Sequence, residues 1–159
     1  MLKQMGFILM LVSSMVMSAK ECTIDDIKKD GGQVWEIPAV CQSLDLIWNK
    51  IGDEGAAEIA EALKKNDTLT YLNLERNKIG AEGAKELATA MKENKNIKLT
   101  EIYLPANDIS AAGAEALAAA LRVNDSLKIL KVFSYRSIDG RRDYFNDLPR
   151  VKSKALEIK

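Results

Sequence analysis

The sequence predicts an α/β fold, a short solenoid of repeated strand–turn–helix units. Residues 44–63 and residues 72–91 align at an offset of 28, and residues 102–121 follow at an offset of 30. A fourth copy starts at residue 127 but loses the pattern within a few residues. Because repeats of this length are the sequence signature of solenoids, the period indicates the fold class before any local motif is interpreted.

Each unit starts with a strand that leads into a turn. In the second unit, Leu72 and Leu74 are two positions apart, which places both side chains on one face of a strand. Asn77 follows, and its short amide can bond to nearby backbone, as turn asparagines do. We therefore expect each strand to end at a structural turn asparagine. The three equivalent residues are Asn49, Asn77 and Asn107.

Each unit continues into a helix. In the second unit, Ile79 is expected to return to the core, and Gly80 and Gly83 bracket a tight start to the helix. From Ala84 onward, apolar residues recur at helical spacing, which predicts one apolar stripe facing the core. The residues of this stripe are Leu87, Ala88 and Met91.

The shared pattern LxxLxLxxNxIGxxGAxxLAxAL resembles the leucine-rich repeat of the ribonuclease-inhibitor class. It also resembles the pattern that is common in the repeats of NOD-like receptors. The resemblance covers residues 41–140, as three full units and a degenerate fourth. It implies a short right-handed horseshoe with parallel strands on the inner, concave face and helices outside. A stack of only three full units exposes a large share of its core at the two ends, which need to be covered. We therefore expect an N-terminal cap over residues 19–40 and a C-terminal cap or basic tail over 141–159.

The two caps have candidate core residues. Trp35 is expected to plug the N-terminal cap, with Ile24 and Ile27 on a short helix before it. At the other end, four apolar residues are expected to cover the last unit: Tyr144, Phe145, Leu148 and Val151.

The first 18 residues have the order of a secretory signal peptide. One lysine precedes an almost wholly apolar run over residues 7–17, and small residues follow it. The run is too short for a membrane-spanning helix of about 20 residues. We expect a secreted or periplasmic protein without a stable membrane span. The alternative is a retained, buried first helix in a cytoplasmic protein.

The compartment bears on the two cysteines. If residues 1–18 are cleaved, Cys22 and Cys41 enter an oxidising compartment and can pair as a disulfide. The alternative is two free thiols, with Cys41 buried at a core position of the repeat. Both alternatives remain open at the level of the sequence.

The composition argues against catalysis. The chain contains no histidine, so it lacks the usual general base and the commonest transition-metal ligand. Two cysteines cannot complete a structural zinc site, and we expect no metal, no cofactor and no catalytic residues. Asp45, Glu75 and Glu101 give one carboxylate to each of the first three units. On a shallow, exposed sheet we interpret them as solvated charges or contacts at the rim of an interface.

The variable strand positions predict a binding surface for a protein or peptide partner. They point to the concave face and bring one large aromatic from each unit, and exposed aromatic residues are concentrated at protein interfaces. The alternative is that some of them pack against the caps, Phe133 first. The candidate contact residues are Asp45, Trp48, Tyr71, Asn73, Glu75, Arg76, Glu101, Tyr103, Lys131 and Phe133.

Charge is unevenly distributed along the chain. Residues 20–127 carry 13 Lys and Arg against 19 Asp and Glu, whereas residues 128–159 carry 9 against 4. Acidic residues interrupt the basic end, so we interpret it as a solvated cap and expect no nucleic-acid partner. The sequence does not identify the partner or the oligomeric state. A second hypothesis is a cytosolic regulatory fragment acting in a larger assembly, for example in GTPase or immune-type regulation.

Two tripeptides match the acceptor pattern for N-glycosylation, starting at Asn66 and at Asn124. Both follow a predicted helix and precede a strand, so the repeat pattern alone also accounts for them.

Overall fold

The computed structural model describes residues 20–27 and 36–132, together with the backbone of 135–136 and 142–143. Four predicted features lie outside the described residues: the signal peptide, the Trp35 plug, Phe133 and the apolar residues of the C-terminal cap. Within the described residues, no helix is long and apolar enough to cross a membrane.

Strands and helices alternate along the chain, which confirms the predicted α/β solenoid. The strands are β1 (Lys20–Cys22), β2 (Cys41–Asp45), β3 (Tyr71–Asn73), β4 (Glu101–Tyr103) and β5 (Ile129–Lys131). The helices are α1 (Ile24–Ile27), α2 (Gly52–Leu63), α3 (Ala81–Glu93) and α4 (Ala111–Val123). Strands β1 to β5 form one parallel sheet in chain order. Two further strands, β6 (Tyr135–Arg136) and β7 (Arg142–Asp143), pair antiparallel.

The core lies between the sheet and the helices. Four equivalent apolar residues, one from each of β2 to β5, pair in register and are almost fully buried: Leu44, Leu72, Ile102 and Leu130. The predicted stripe of α3 packs beneath them, since Leu87, Ala88 and Met91 are all buried. In-register stacking of equal units explains why the leucine pattern recurs at a fixed period.

Helix α3 starts at Ala81, between the two glycines that bracket the predicted start, and its N-terminus is capped from the preceding unit. The Asp53 side chain accepts hydrogen bonds from the backbone N–H groups of Gly80 and Gly83, with Oδ1 at 2.6 and 2.9 Å. A carboxylate at this position satisfies free N–H groups and opposes the positive end of the helix dipole. The contact joins residues 27 and 30 positions apart, so the local pattern does not reveal it.

Gly83 lies inside the first turn of α3 rather than before it. A Cβ added there would approach the Ala56 Cβ of helix α2 to 2.9 Å and the Asp53 Oδ1 to 2.7 Å. Gly113 has the equivalent role in α4, where an added Cβ would meet the Ala84 Cβ at 3.1 Å. The repeated glycine therefore allows neighbouring helices to approach closely.

The predicted turn asparagines hold successive units together. Asn77 is fully buried; its amide donates to the Leu46 carbonyl at 2.7 Å, and its Oδ1 accepts from the backbone N–H of Asn49 at 2.8 Å. Asn107 repeats both bonds one unit later, to the Leu74 carbonyl and the Asn77 N–H, each at 2.8 Å. Asn49 is exposed, and its amide donates within its own turn, to the Ile47 carbonyl.

A second row of asparagines follows the helices. Asn66, Asn94 and Asn124 are 7 to 8% exposed, and each side-chain amide donates to a backbone carbonyl about one unit earlier in the chain. Asn94 was not recognised in the sequence, because two extra residues separate it from the following strand. The buried, bonded amides of Asn66 and Asn124 support the repeat pattern as the reason for both tripeptides.

Residues 20–27 include a strand that the sequence did not predict. The expected helix at Ile24 and Ile27 is present as α1, but β1 precedes it and pairs with β2. Cys22 and Cys41 form a disulfide, and both side chains are almost fully buried. The disulfide attaches the short strand β1 to the first repeat. Without it, only the pairing of the three residues of β1 with β2 would hold the strand there.

Candidate functional site

The candidate site is the strand face, defined as the sheet surface opposite the helices. Its position corresponds to the concave face that the resemblance implies. The pairing register aligns two rows of side chains across β2 to β5. The first row is Ser43, Tyr71, Glu101 and Ile129, and the second is Asp45, Asn73, Tyr103 and Lys131.

Two tyrosines form the centre of the strand face. The rings of Tyr71 and Tyr103 come from adjacent strands and diagonal positions, with centroids 5.3 Å apart and a 40° angle between their planes. Such diagonal neighbours are within reach of aromatic side chains on adjacent strands. Lys131 continues the row, since its Nζ lies 5.0 Å from the centre of the Tyr103 ring.

Trp48 forms the edge of the site, at the ends of the strands. Its side chain is 65% exposed, and the Arg76 guanidinium lies 4.9 Å from the ring centre. Trp48 and Arg76 occupy equivalent repeat positions and have the same left-handed backbone, with φ of 63° and 57°. The shared conformation places the two side chains next to each other, one unit apart.

Ile47 enlarges the apolar part of this edge. It is 37% exposed and lies next to Trp48, yet it was not among the predicted contact residues. Its repeat position provided the signal, because the equivalent residue of the second unit is the candidate Glu75.

The three candidate carboxylates contribute to the local hydrogen bonding of the strand face. Asp45 accepts from the backbone N–H of Ile47 at 3.1 Å, and Glu101 accepts from the Tyr103 hydroxyl at 3.0 Å. Glu75 forms an ion pair with Arg76, at 3.4 Å between Oε1 and Nε. Among the described residues, no cluster of three or more Cys, Asp or Glu side chains is placed to hold a metal ion.

Asn73 differs from the expected solvent-facing contact. It belongs to the strand face, but only 6% of its surface is exposed. Its amide donates to the Tyr71 hydroxyl at 3.2 Å, and its Oδ1 accepts from the Glu75 N–H at 3.1 Å. The short side chain is thus held below its larger neighbours and supports the Tyr71 hydroxyl instead of presenting itself to solvent.

Tyr71 has a perturbed titration. Burial raises the pKa of Tyr71, the hydrogen bond from Asn73 lowers it, and the negative charges of Asp45, Glu101 and Glu75 raise it further. The net shift is upward from the usual value near 10. Burial is the largest cause of this pKa shift, and the three carboxylates add a negative environment at the ring that disfavours a second anion.

The structure thus unites nine of the ten candidate contact residues on or beside the strand face. Six of them form two clusters, Tyr71 with Tyr103 and Lys131, and Trp48 with Arg76 and Glu75. The tenth, Phe133, is outside the described side chains.

One comparison with known protein families agrees with this repeat architecture. A family model described as "Leucine Rich repeat" matches residues 42–60, 65–88 and 95–118. A solved structure titled "Leiomodin-1 Actin-Binding Site 2 (ABS2)" is similar at a TM-score of 0.49 and 25% identity, over 63% of this chain and 57% of that one. A similarity at this TM-score does not indicate what this chain binds. No curated protein matches the chain.

The three family matches coincide with three successive units. Each matched segment includes most or all of one strand of the parallel sheet and more than half of the helix that follows. These three leucine-rich repeats form a short α/β solenoid.

Proposed function

We propose that this protein is a non-catalytic binding module whose strand face contacts a protein or peptide. One observation carries the proposal: large aromatic side chains from three successive repeats gather on or beside one sheet surface, with charged groups packed around them. Aromatic residues and arginine are the side chains that dominate the binding energy of protein interfaces.

The contacts within the site favour binding over catalysis. The Tyr71 and Tyr103 rings support each other, and Arg76 is held by both Trp48 and Glu75. Side chains that are already positioned lose less entropy when a partner binds. The carboxylates accept hydrogen bonds or pair with arginine, as expected for groups that shape a surface.

Affinity capture tests this function. The disulfide-bonded protein is immobilised, bound proteins are identified by mass spectrometry, and the capture is repeated with Tyr71→Ala and Tyr103→Ala. The matched control is Glu86→Ala, at an exposed position of α3 on the helix side. The proposal expects a protein that the wild type and the control retain and both tyrosine variants lose. Equal retention by all four proteins contradicts it.

The location and the chain ends belong to the same proposal. A disulfide between Cys22 and Cys41 supports a secreted or periplasmic protein, because such bonds persist in oxidising compartments. The proposed organisation is a signal peptide over residues 1–18, an N-terminal cap over 19–40, repeats over 41–140 and a C-terminal cap over 141–159. N-terminal sequencing of the mature protein tests it. An intact Met1 would favour the cytosolic regulatory alternative.

A further inference from the structure

This inference rests on the proposal that the strand face is the binding surface. The cationic side chains that already pack against this face indicate the chemistry of the partner. Two cations of the protein already rest against aromatic rings: Arg76 on Trp48 at 4.9 Å and Lys131 on Tyr103 at 5.0 Å. Both distances are in the range of an attractive cation–π contact. Neither contact uses the ring of Tyr71, which lies in the same repeat as Arg76 and packs against Tyr103.

Carboxylates surround Tyr71 on its own strand and on both neighbours. Glu101 is its register partner on β4, Asp45 lies diagonally on β2, and Glu75 follows β3 itself. All three act on the pKa of Tyr71 in the upward direction, which indicates that their negative fields converge at this ring.

Within residues 20–27 and 36–132, the contacts of two of these carboxylates leave their negative charge near Tyr71 uncancelled. Glu75 pairs with Arg76, but Asp45 and Glu101 accept their hydrogen bonds from uncharged groups, a backbone N–H and a phenol hydroxyl. An uncharged donor orients a carboxylate without cancelling its charge. The lysines of this face, Lys128 and Lys131, lie just before or on β5, which is two strands from Tyr71 and next to the strand of Glu101.

We propose that the partner is a basic protein segment, and that one of its Lys or Arg side chains lies over Tyr71 between Asp45 and Glu101. The Tyr71 ring would give the incoming cation a cation–π contact and the two carboxylates would give it ion pairs. Arg76 already has the same two kinds of contact, with Trp48 and with Glu75. The rest of the segment follows the strand face toward Trp48 or Tyr103.

Fluorescence anisotropy with three labelled peptides of equal length tests this inference. The peptides alternate serine with lysine, with glutamine or with glutamate, and each is titrated with the disulfide-bonded full chain. The lysine peptide should bind most tightly and the glutamate peptide most weakly. Equal binding of the glutamine and lysine peptides, or no binding of the lysine peptide, overturns the inference.

Charge-neutral variants locate the effect. The double variant Asp45→Asn with Glu101→Gln keeps the oxygen that accepts each hydrogen bond, so the fold is preserved; circular dichroism checks this. It should weaken lysine-peptide binding by about tenfold, as expected for two lost partly exposed charge contacts. The control Glu54→Gln with Glu86→Gln removes the same net charge from exposed helix positions and should change binding by less than about twofold. Equal losses in both double variants would show a general charge effect and overturn the inference.

The outcome separates this inference from the proposed function. If the captured partner is lost by Tyr71→Ala and Tyr103→Ala but retained by the Asp45 and Glu101 double variant, the strand face binds without a central cation, and only the inference fails. If the tyrosine variants retain the partner, the proposed function itself fails.

Discussion

The rings of Tyr71 and Tyr103 pack with their centroids 5.3 Å apart, although the two residues belong to successive repeats. The contact exists because the parallel strands β3 and β4 pair in register, so that diagonal positions of neighbouring units meet on one face. Stacking of the units thus assembles the strand face, and disruption of the stack should damage the fold and the proposed site together.

The buried turn asparagine is predicted to contribute much more stability than its exposed equivalent. Asn77→Ala removes bonds to the Leu46 carbonyl and the Asn49 N–H and leaves buried groups unpaired. We expect a loss of about 2–4 kcal/mol in the free energy of unfolding, measured by urea denaturation. Asn49→Ala, the matched variant at the open end, should cost less than about 1 kcal/mol. Similar losses for the two variants would contradict the role assigned to the bonds between units.

The contact between helices α2 and α3 is predicted to require glycine at position 83. Gly83→Ala would bring a methyl group to 2.9 Å from the Ala56 Cβ, so either the helices separate or side chains are strained. The expected loss is about 1–3 kcal/mol, measured by chemical denaturation. Glu82→Ala, at the exposed preceding position of the same helix, serves as the control and should have a much smaller effect. An unchanged midpoint for Gly83→Ala would show that the helices tolerate a wider spacing.

The disulfide is predicted to stabilise the N-terminal cap. Replacing both Cys22 and Cys41 with alanine should lower the free energy of unfolding by about 2–4 kcal/mol, because the cross-link restricts the unfolded chain. Thermal denaturation with and without a reducing agent provides a second measurement: the wild type should become less stable in reductant, and the alanine variant should not respond. Titration of two free thiols in denatured, unreduced protein would rule out the bond.

Tyr71 is predicted to ionise at a higher pH than a free tyrosine. Burial and the charges of Asp45, Glu101 and Glu75 outweigh the hydrogen bond from Asn73 and raise its pKa. Because the folded pKa lies above the unfolded value near 10, this group's contribution to stability is complete below that pH. The contribution is lost as the pH rises through the folded pKa.

Carbon-13 NMR of labelled tyrosine, assigned with Tyr71→Phe, measures this titration. The Asp45→Asn, Glu101→Gln double variant should lower the Tyr71 pKa toward its usual value. A midpoint at or below the usual value in the wild type would contradict the negative environment described for the strand face.

The sequence predicts the repeat, and hence the core, because equal spacing forces equivalent residues into register. Leu72 and Leu74 are buried and the Asn77 amide bonds to backbone, as the pattern indicates, although its partners belong to the preceding unit. Contacts between residues of different repeats cannot be predicted from the spacing in this way. The Asp53 cap on α3 and the packing of Arg76 on Trp48 join residues 27 to 30 positions apart in the chain.

The candidate site is predicted as a set of positions but not as a geometry. Period-two alternation identifies the side chains that leave the core, including Asn73, but cannot show that larger neighbours cover it. Strand β1 is missed for a related reason. Three residues without apolar alternation do not indicate a strand, and the pairing depends on the neighbouring β2 and on the disulfide.

Site-specific photo-crosslinking tests the central claim most directly, that the strand face binds the partner. A photoreactive phenylalanine analogue is placed at Ser43, beside Tyr71 on the strand face, and in a second protein at Ala112, an exposed position of α4. Each is irradiated with the captured partner and analysed by mass spectrometry. The account predicts a crosslink to the partner from position 43 and none from position 112. A crosslink from position 112 alone would place the interface on the helices and contradict it.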